Sequence, residues 1–299
     1  MIYLKSFSLP SIQDEYGWKL SYRTKAQRRT CYGNNVYPFD LFPFREIKNF
    51  DMSDITILYG GNGSGKSTIL NVISEKLGVR KNKLFNKTPY FDDYVELCKY
   101  TKVGKDPESG VLLRSDDVFE CMIDVRSINE GIDRRRDQLF DEYDDLKNVY
   151  GNSYFQLSSI EEYEELKRRN EAKRVTKSQY VRNRGLDGCV RTSSNGETAF
   201  SYFTEQIKEN ALYLLDEPEN SLSVKLQIEL ARFIEESVRF YGCQFIISTH
   251  SPFLLAMKGA KIYDLDSQGA KSPDSWANLP NVRAYYDFFE AHKSDFEKT

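Results

Sequence analysis

The run Tyr59-Gly60-Gly61-Asn62-Gly63-Ser64-Gly65-Lys66-Ser67-Thr68 fits G-x-x-x-x-G-K-[ST], with Gly60 opening the pattern and Gly65-Lys66-Ser67 closing it. Glycines at these positions let successive backbone N–H groups turn inward and cradle phosphate oxygens. Lys66 is then a point charge for the outer phosphates of ATP, and the Ser67 hydroxyl is a ligand for Mg²⁺. The flanks agree with this. Asp54–Tyr59 predicts a short buried strand feeding the loop, Ile69, Ile73 and Leu77 recur at helical spacing after it, and Gly78 stands where that helix would stop. A strand, a glycine loop and a helix N-terminus, in that order, favour a bound anion.

With 29% charged and 40% apolar residues, the 299-residue chain can bury a core as one large domain or two small ones. A net charge of −3 gives no global argument for nucleic acid, so any such contact must rest on local patches. The five cysteines (Cys31, Cys98, Cys121, Cys189 and Cys243) are scattered and lack C-x-x-C spacing, which suits reduced thiols in a cytoplasmic protein better than a zinc site. No stretch approaches the roughly 18 apolar residues of a membrane span, and none at the N-terminus is long enough for a signal peptide.

Ile2–Leu9 alternates and predicts a first strand. Residues 10–35 are polar and tyrosine-rich and fit a hairpin or a loop. The segment Tyr37-Pro38-Phe39-Asp40-Leu41-Phe42-Pro43-Phe44 could offer an aromatic ring to an adenine, or its rings could be core. Residues 79–110 look like a polar connection. Gly110–Arg114 predicts a strand ending at Ser115-Asp116-Asp117, and Val118–Ile123 fits either a helix or a strand. From about Asn129 charge dominates. Glu164/Arg168 and Glu165/Arg169 stand at i,i+4 with the acid first, as on an exposed helix, and a break is expected near Tyr150–Ser153. Residues 167–191 carry nine basic side chains against Glu171 and Asp187. They could meet the phosphate backbone of DNA or RNA, form a solvated face, or pair with the acids Asp141, Glu142, Asp144 and Asp145.

A second chemical centre lies downstream. Ala211–Leu215 predicts a buried strand that ends in Asp216-Glu217-Pro218. At the carboxyl edge of a parallel sheet, Asp216 can hold Mg²⁺ and Glu217 can orient and polarise an attacking water. A helix from Ser223 to about Phe240 follows, with Val224, Ile228, Ala231 and Ile234 on one face. Cys243–Thr249 then predicts another buried strand, delivering His250 to the same edge as a γ-phosphate contact. His292, in a polar C-terminal stretch, carries no such argument.

In order, the chain holds the glycine loop, Ser193-Ser194-Asn195-Gly196-Glu197, Asp216-Glu217-Pro218, Glu219-Asn220-Ser221-Leu222-Ser223, and Ser248-Thr249-His250-Ser251-Pro252. This resembles the ABC-type ATPases, with Walker A, signature, Walker B and catalytic Glu, D-loop and switch histidine. It is most similar to the small stand-alone predicted ATPases of that type, through Tyr37-Pro38-Phe39, Tyr59–Leu70, Leu113–Phe119, Ser193–Glu197, Leu212–Ser223 and Gln244–Leu255. It also resembles the ATPase partners of nucleases in bacterial defence modules and, more distantly, chromosome-maintenance and repair ATPases.

The resemblance implies an α/β fold: a P-loop NTPase of the ABC ATPase-head type with a mixed sheet core, formed by residues 1–128 and 186–299, and an inserted charged helical arm at 129–185. It further implies a homodimer that sandwiches ATP between one chain's Walker A and the other's Ser194 and Gly196, and a separate nuclease or effector as partner. Three departures stand out. The signature is not Leu-Ser-Gly-Gly-Gln, which weighs against a transporter subunit. The usual Q-loop glutamine is replaced in position by Asp116, which could reach Mg²⁺ or its water. The arm is longer than this group needs.

Overall fold

A computed structural model describes residues 2–24, 36–81, 85, 87–104, 107–148, 167–168, 170–171, 174–185 and 195–297. The chain divides into two compact units, Met1–Val118 with Asn195–Thr299, and Phe119–Ser194.

In the first unit, β1 (Leu4–Ser8) is followed by α1 (Ile12–Thr24), β2 (Asn49–Asp51), β3 (Ile55–Tyr59), α2 (Lys66–Leu77), β4 (Arg80–Lys81), α3 (Phe91–Leu97), β5 (Lys99–Lys102) and β6 (Ser109–Arg114). Helix α4 (Ser115–Asn148) starts here and runs on into the second unit, which also holds α5 (Lys177–Arg182). The chain returns to the first unit with α6 (Asn195–Gln206), β7 (Ala211–Asp216), α7 (Val224–Tyr241), β8 (Gln244–Ser248), α8 (Pro252–Leu255), β9 (Lys261–Asp264) and α9 (Pro280–Ala291).

Six strands form one sheet in the order β4-β6-β7-β8-β3-β9, and every pairing in it is parallel. Among the described residues, antiparallel pairing is confined to a separate three-stranded sheet, β2-β1-β5. The central strands are buried along their length, as their mostly apolar runs require of parallel strands covered on both faces. Since β3, β7 and β8 are neighbours and parallel, their carboxyl ends share one edge, where open α/β sheets bind ligands. The fully buried Gln244 side chain joins the two sheets. Its Oε1 accepts from the amides of Tyr3 and Leu4, both at 2.9 Å, and its Nε2 donates to the carbonyls of Leu4 and Ser53 at 2.9 and 3.0 Å.

Two sequence expectations are corrected. Residues 12–24 are helix α1, neither hairpin nor loop. The Ser11 amide donates to Asp14 Oδ2 at 2.9 Å while the Asp14 amide donates to Ser11 Oγ at 3.2 Å, a reciprocal N-terminal cap. The connection at 79–110 contains α3 and β5, and β5 is a strand because it pairs with β1. Val118–Ile123, open between helix and strand, is helical within α4.

In the second unit, Leu139, Tyr143 and Leu146 of α4 pack with Tyr180 and Val181 of α5. Three bases of the 167–191 segment meet acids. Arg168 lies 3.7 Å from Glu142, Lys177 is 2.5 Å from Asp144, and Arg184 is 3.4 Å from Glu171. For Arg168 and Lys177 the pairing with the acidic stretch is the observed alternative, whereas Arg184 meets an acid of its own segment. The expected break near Tyr150 and the pairs involving Glu164 and Glu165 lie outside the described residues, as do Arg169, Lys173 and Arg191. Among the described residues no helix is long and apolar enough to cross a membrane.

Candidate functional site

The glycine loop leaves β3 at Tyr59 and enters α2 at Lys66, where Gly65 caps the helix in the left-handed region at φ +100°. A side chain there would collide with Phe42, whose Cε1 lies 2.6 Å from the position of a Cβ, so residue 65 has both a steric and a conformational need for glycine. The loop is braced from outside. The Gly61 amide donates to Asp266 Oδ2 at 2.6 Å, and Arg45 donates to the Ser64 carbonyl at 3.3 Å. Lys66 is buried, and its Nζ donates to the carbonyls of Gly60 and Gly61 at 2.8 and 3.1 Å.

Strand order brings the second centre onto this loop. β8 lies between β3 and β7, with Ser248 level with both Leu58 and Asp216. Asp216 Oδ1 accepts from Ser67 Oγ at 3.0 Å and from Ser248 Oγ at 2.5 Å. Burial pushes the Asp216 carboxyl up, against the pull of the Ser248 and Ser67 hydrogen bonds. Next to it, Glu217 takes a left-handed backbone at φ 48°, which its amide's bonds to Ser248 O (3.0 Å) and Ser248 Oγ (3.1 Å) hold in place. Its Oε1 lies 3.0 Å from His250 Nε2 and 3.5 Å from Lys66 Nζ, and its Oε2 accepts from Asn220 at 2.9 Å. Burial would raise the Glu217 carboxyl, but the Asn220 hydrogen bond, Lys66 and His250 together hold it below the ordinary range. Two adjacent carboxyls are thus pushed in opposite directions, a common mark of acids with different tasks.

A cleft of about 300 Å³ lies over these groups, lined by Tyr37 and Leu41 as well as by Lys66, Ser67, Thr68 and Glu217. Tyr37 OH and Thr68 Oγ1 are 2.8 Å apart. Among the other aromatics weighed as adenine contacts, Phe39 and Phe42 are core residues and Phe44 is 77% exposed. The donors fit a hard divalent cation. Ser67 and Asp216 present a hydroxyl and a carboxylate side by side, the oxygen set Mg²⁺ takes when phosphates and waters complete its shell.

Lys66, Ser67, Asp216, Glu217 and His250 are therefore gathered in one place, with Gly60, Asn62, Gly63, Ser64, Gly65 and Thr68 in the loop beneath them. Asp116 sits exposed in the first turn of α4, and among the described residues no hydrogen bond ties it to Ser67 or Asp216. Its neighbour Asp117 is buried and accepts from the Arg114 amide at 3.1 Å. Gly196 lies in the first turn of α6, where a Cβ would stand 3.0 Å from Leu226 and 3.9 Å from both Ser221 O and Ser223 N. Ser194 lies outside the described residues. Sequence reasoning missed Ser248 and Asn220, each bonded to one of the paired acids. Both stand in runs the sequence singled out, but neither was given a role there, and only strand order and the turn after β7 reveal their contacts.

The family model described as "AAA domain, putative AbiEii toxin, Type IV TA system" matches residues 123–256, a span that contains Asp216, Glu217 and His250 and leaves out the glycine loop. No curated protein matches the chain. Similar solved structures include an Smc head domain with an extended coiled coil, bound to the C-terminal domain of ScpA, from Pyrococcus furiosus (13% identity, 98% of this chain and 100% of that one, TM-score 0.42). They also include an SMC head domain from Thermotoga maritima (14% identity, 88% and 94%, TM-score 0.35). A third is a dimeric ATP-binding cassette in a post-hydrolysis state, bound to ADP and Pi (17% identity, 78% and 92%, TM-score 0.32).

Proposed function

We propose, from the premise that this chain is an ABC-type ATPase, that it hydrolyses ATP as a head-to-tail pair of chains and works as a switch in a nucleic-acid-associated system of defence or repair. The observation that carries the reading is the convergence of Lys66, Ser67, Asp216, Glu217 and His250 at the carboxyl edge of β3, β7 and β8.

The division of labour follows from the contacts. The loop amides and the helix N-terminus bind the phosphates, and Lys66 exchanges its bonds to Gly60 and Gly61 for phosphate oxygens. Ser67 and Asp216 would hold Mg²⁺, which when bound neutralises charge on the outer phosphates. Glu217, kept ionised by its neighbours, accepts a proton from the water that attacks the γ-phosphorus as the bond to ADP breaks. His250, hydrogen-bonded to Glu217, would contact the γ-phosphoryl group as it passes from ADP to water. In the partner chain, Ser194 and Gly196 would close the sandwich with donors at the start of α6.

The test is the solution mass of Glu217→Gln with and without Mg-ATP. A nucleotide-dependent monomer-to-dimer shift that Lys66→Ala abolishes is expected, and a monomer under all conditions overturns the paired arrangement. A second reading has its own support. Arg168, Lys177 and Arg184 are engaged with acids of their own unit, which leaves fewer bases for a phosphate backbone. On that reading the ATPase controls a partner effector or toxin without touching nucleic acid, and the toxin–antitoxin wording of the matched family model suits it. Salt-sensitive binding of the intact protein to DNA or RNA favours the first reading. Partner capture that is lost when residues 130–185 are deleted, with no nucleic-acid binding, favours the second.

A further inference from the structure

Glu219 stands two residues beyond Glu217, in the 3-10 turn Pro218–Ser221, and is buried. It takes no part in the reaction just described. Its Oε1 accepts two hydrogen bonds, from the His250 amide at 2.6 Å and from Thr249 Oγ1 at 2.7 Å. Those are the residues at which the chain leaves β8. The Thr249 amide still reaches the sheet, donating to Leu58 O at 3.3 Å, but β8 itself ends at Ser248. The His250 amide is thus the first past β8 that is not bonded to the sheet, and the Glu219 carboxyl takes the place of a strand partner. The turn after β7 therefore grips His250 twice, through its ring by Glu217 and through its backbone by Glu219.

The grip closes on itself. Thr249 Oγ1 accepts from the Ser251 amide at 3.0 Å, Ser251 Oγ donates to Gln227 Oε1 at 2.7 Å, and Gln227 Nε2 donates to Leu222 O at 3.0 Å. Leu222 immediately follows the turn that carries Glu219. A ring of hydrogen bonds thus locks the residues after β7 to those after β8 through α7.

We propose that Glu219 is the positioning residue of this site, setting through its Oε1 the place of His250 relative to Glu217. The inference rests on the ATPase reading above. Burial pushes the Glu219 carboxyl up, against the pull of Thr249 and the His250 amide, and both of those bonds fall on Oε1 while Oε2 is buried with no hydrogen-bond partner. What the site takes from Glu219 is then an acceptor oxygen at a fixed reach, and reach is what substitution can separate from charge.

The experiment compares Glu219→Gln, which keeps the reach and the acceptor, with Glu219→Asp, which keeps the carboxyl and withdraws it by about 1.5 Å, one carbon–carbon bond. Both are measured for ATP turnover and KM, after melting curves establish that they fold. Gln should keep kcat within about threefold, while Asp should lose about tenfold or more with KM within about twofold, the pattern of a displaced group that acts in the transition state. Thr249→Val, which removes the other donor to Oε1 at constant volume, should lower kcat in the same direction, and it decides the matter if the Asp variant does not fold. Equal turnover in Gln, Asp and Val variants overturns the proposal. So does a Gln variant as slow as Asp, which would assign the effect to charge, or a rise in KM that accounts for the loss, which would assign it to the nucleotide cleft. Lys66→Ala separates this failure from failure of the ATPase reading. If wild type and Lys66→Ala turn over ATP at the same rate, the reading itself falls, whereas a dead Lys66→Ala beside unaffected Glu219 variants removes only the positioning role.

Discussion

Ser67 Oγ donates to Asp216 Oδ1 across 3.0 Å, joining two groups 149 residues apart in the chain. The bond makes one oxygen site from the first turn of α2 and the end of β7. Ser67→Ala removes the hydroxyl and leaves the loop amides in place. It should weaken nucleotide binding by about tenfold when Mg²⁺ is present and much less in its absence, because only the cation-bound form uses that oxygen. Calorimetric titration with ATP, with and without a chelator, reads both numbers. An equal loss in both conditions would remove Ser67 from the cation site.

Gly65 is placed where no other residue fits. Gly65→Ala puts a Cβ 2.6 Å from Phe42 Cε1 in a left-handed backbone, and Phe42 is fully buried with nowhere to retreat. Strain of about 1–3 kcal/mol is expected at such a position, visible as a lower Tm. The same displacement should disorder the amides that face phosphate and reduce ATP affinity at least about tenfold. A variant with normal melting and normal affinity would mean that the loop relaxes freely around residue 65.

Gln244 makes a purely structural prediction. Its amide serves the amides of Tyr3 and Leu4 and the carbonyls of Leu4 and Ser53, with no water needed. Gln244→Leu keeps the volume and strands four polar groups between the two sheets. At about 1–3 kcal/mol for each group that stays unpaired, a loss of about 3 kcal/mol or more is expected in denaturant melts. A change below about 1 kcal/mol would show that β1 detaches from the larger sheet at little cost.

The parts legible from sequence share a physical cause. Strands β3, β7 and β8 are buried on both faces, so they spell mostly apolar runs without alternation, and the chemistry-bearing residues follow at their ends. Helix α1 was illegible because its burial contradicts its residue types. Ile12, Tyr16 and Leu20 are exposed while Glu15 is buried, and the only local signal was the Ser11-x-x-Asp14 cap. Strand β5 has all four residues exposed and exists through its pairing with β1, which composition cannot express. The arm misled in another way. A charge count registers Arg168, Lys177 and Arg184 and the acids around them, but not which of these charges meet. The contacts of Ser248 and Asn220 became visible only when β8 fell between β3 and β7 and the turn after β7 was seen to fold back on Glu217.

Glu15 gives the chain a pH-dependent stability. Its Oε2 accepts from the Asp40 amide at 2.8 Å, and its Oε1 is buried with no hydrogen-bond partner. Burial pushes the carboxyl from 4.5 up to about 7, with the Asp40 charge adding to the rise and the Asp40 amide and Lys19 opposing it. In the unfolded chain the group ionises near its ordinary value, so between about 4.5 and about 7 the folded state holds a proton that the unfolded state has lost. Stability from this group is therefore fully present at the acid end and is lost as pH rises through that window. Glu15→Gln keeps the acceptor for the Asp40 amide and cannot ionise. Its Tm should match that of wild type near pH 4 and exceed it by an increasing margin up to about pH 8. A margin that stays constant across the range would mean that Glu15 ionises in the folded protein as easily as in water.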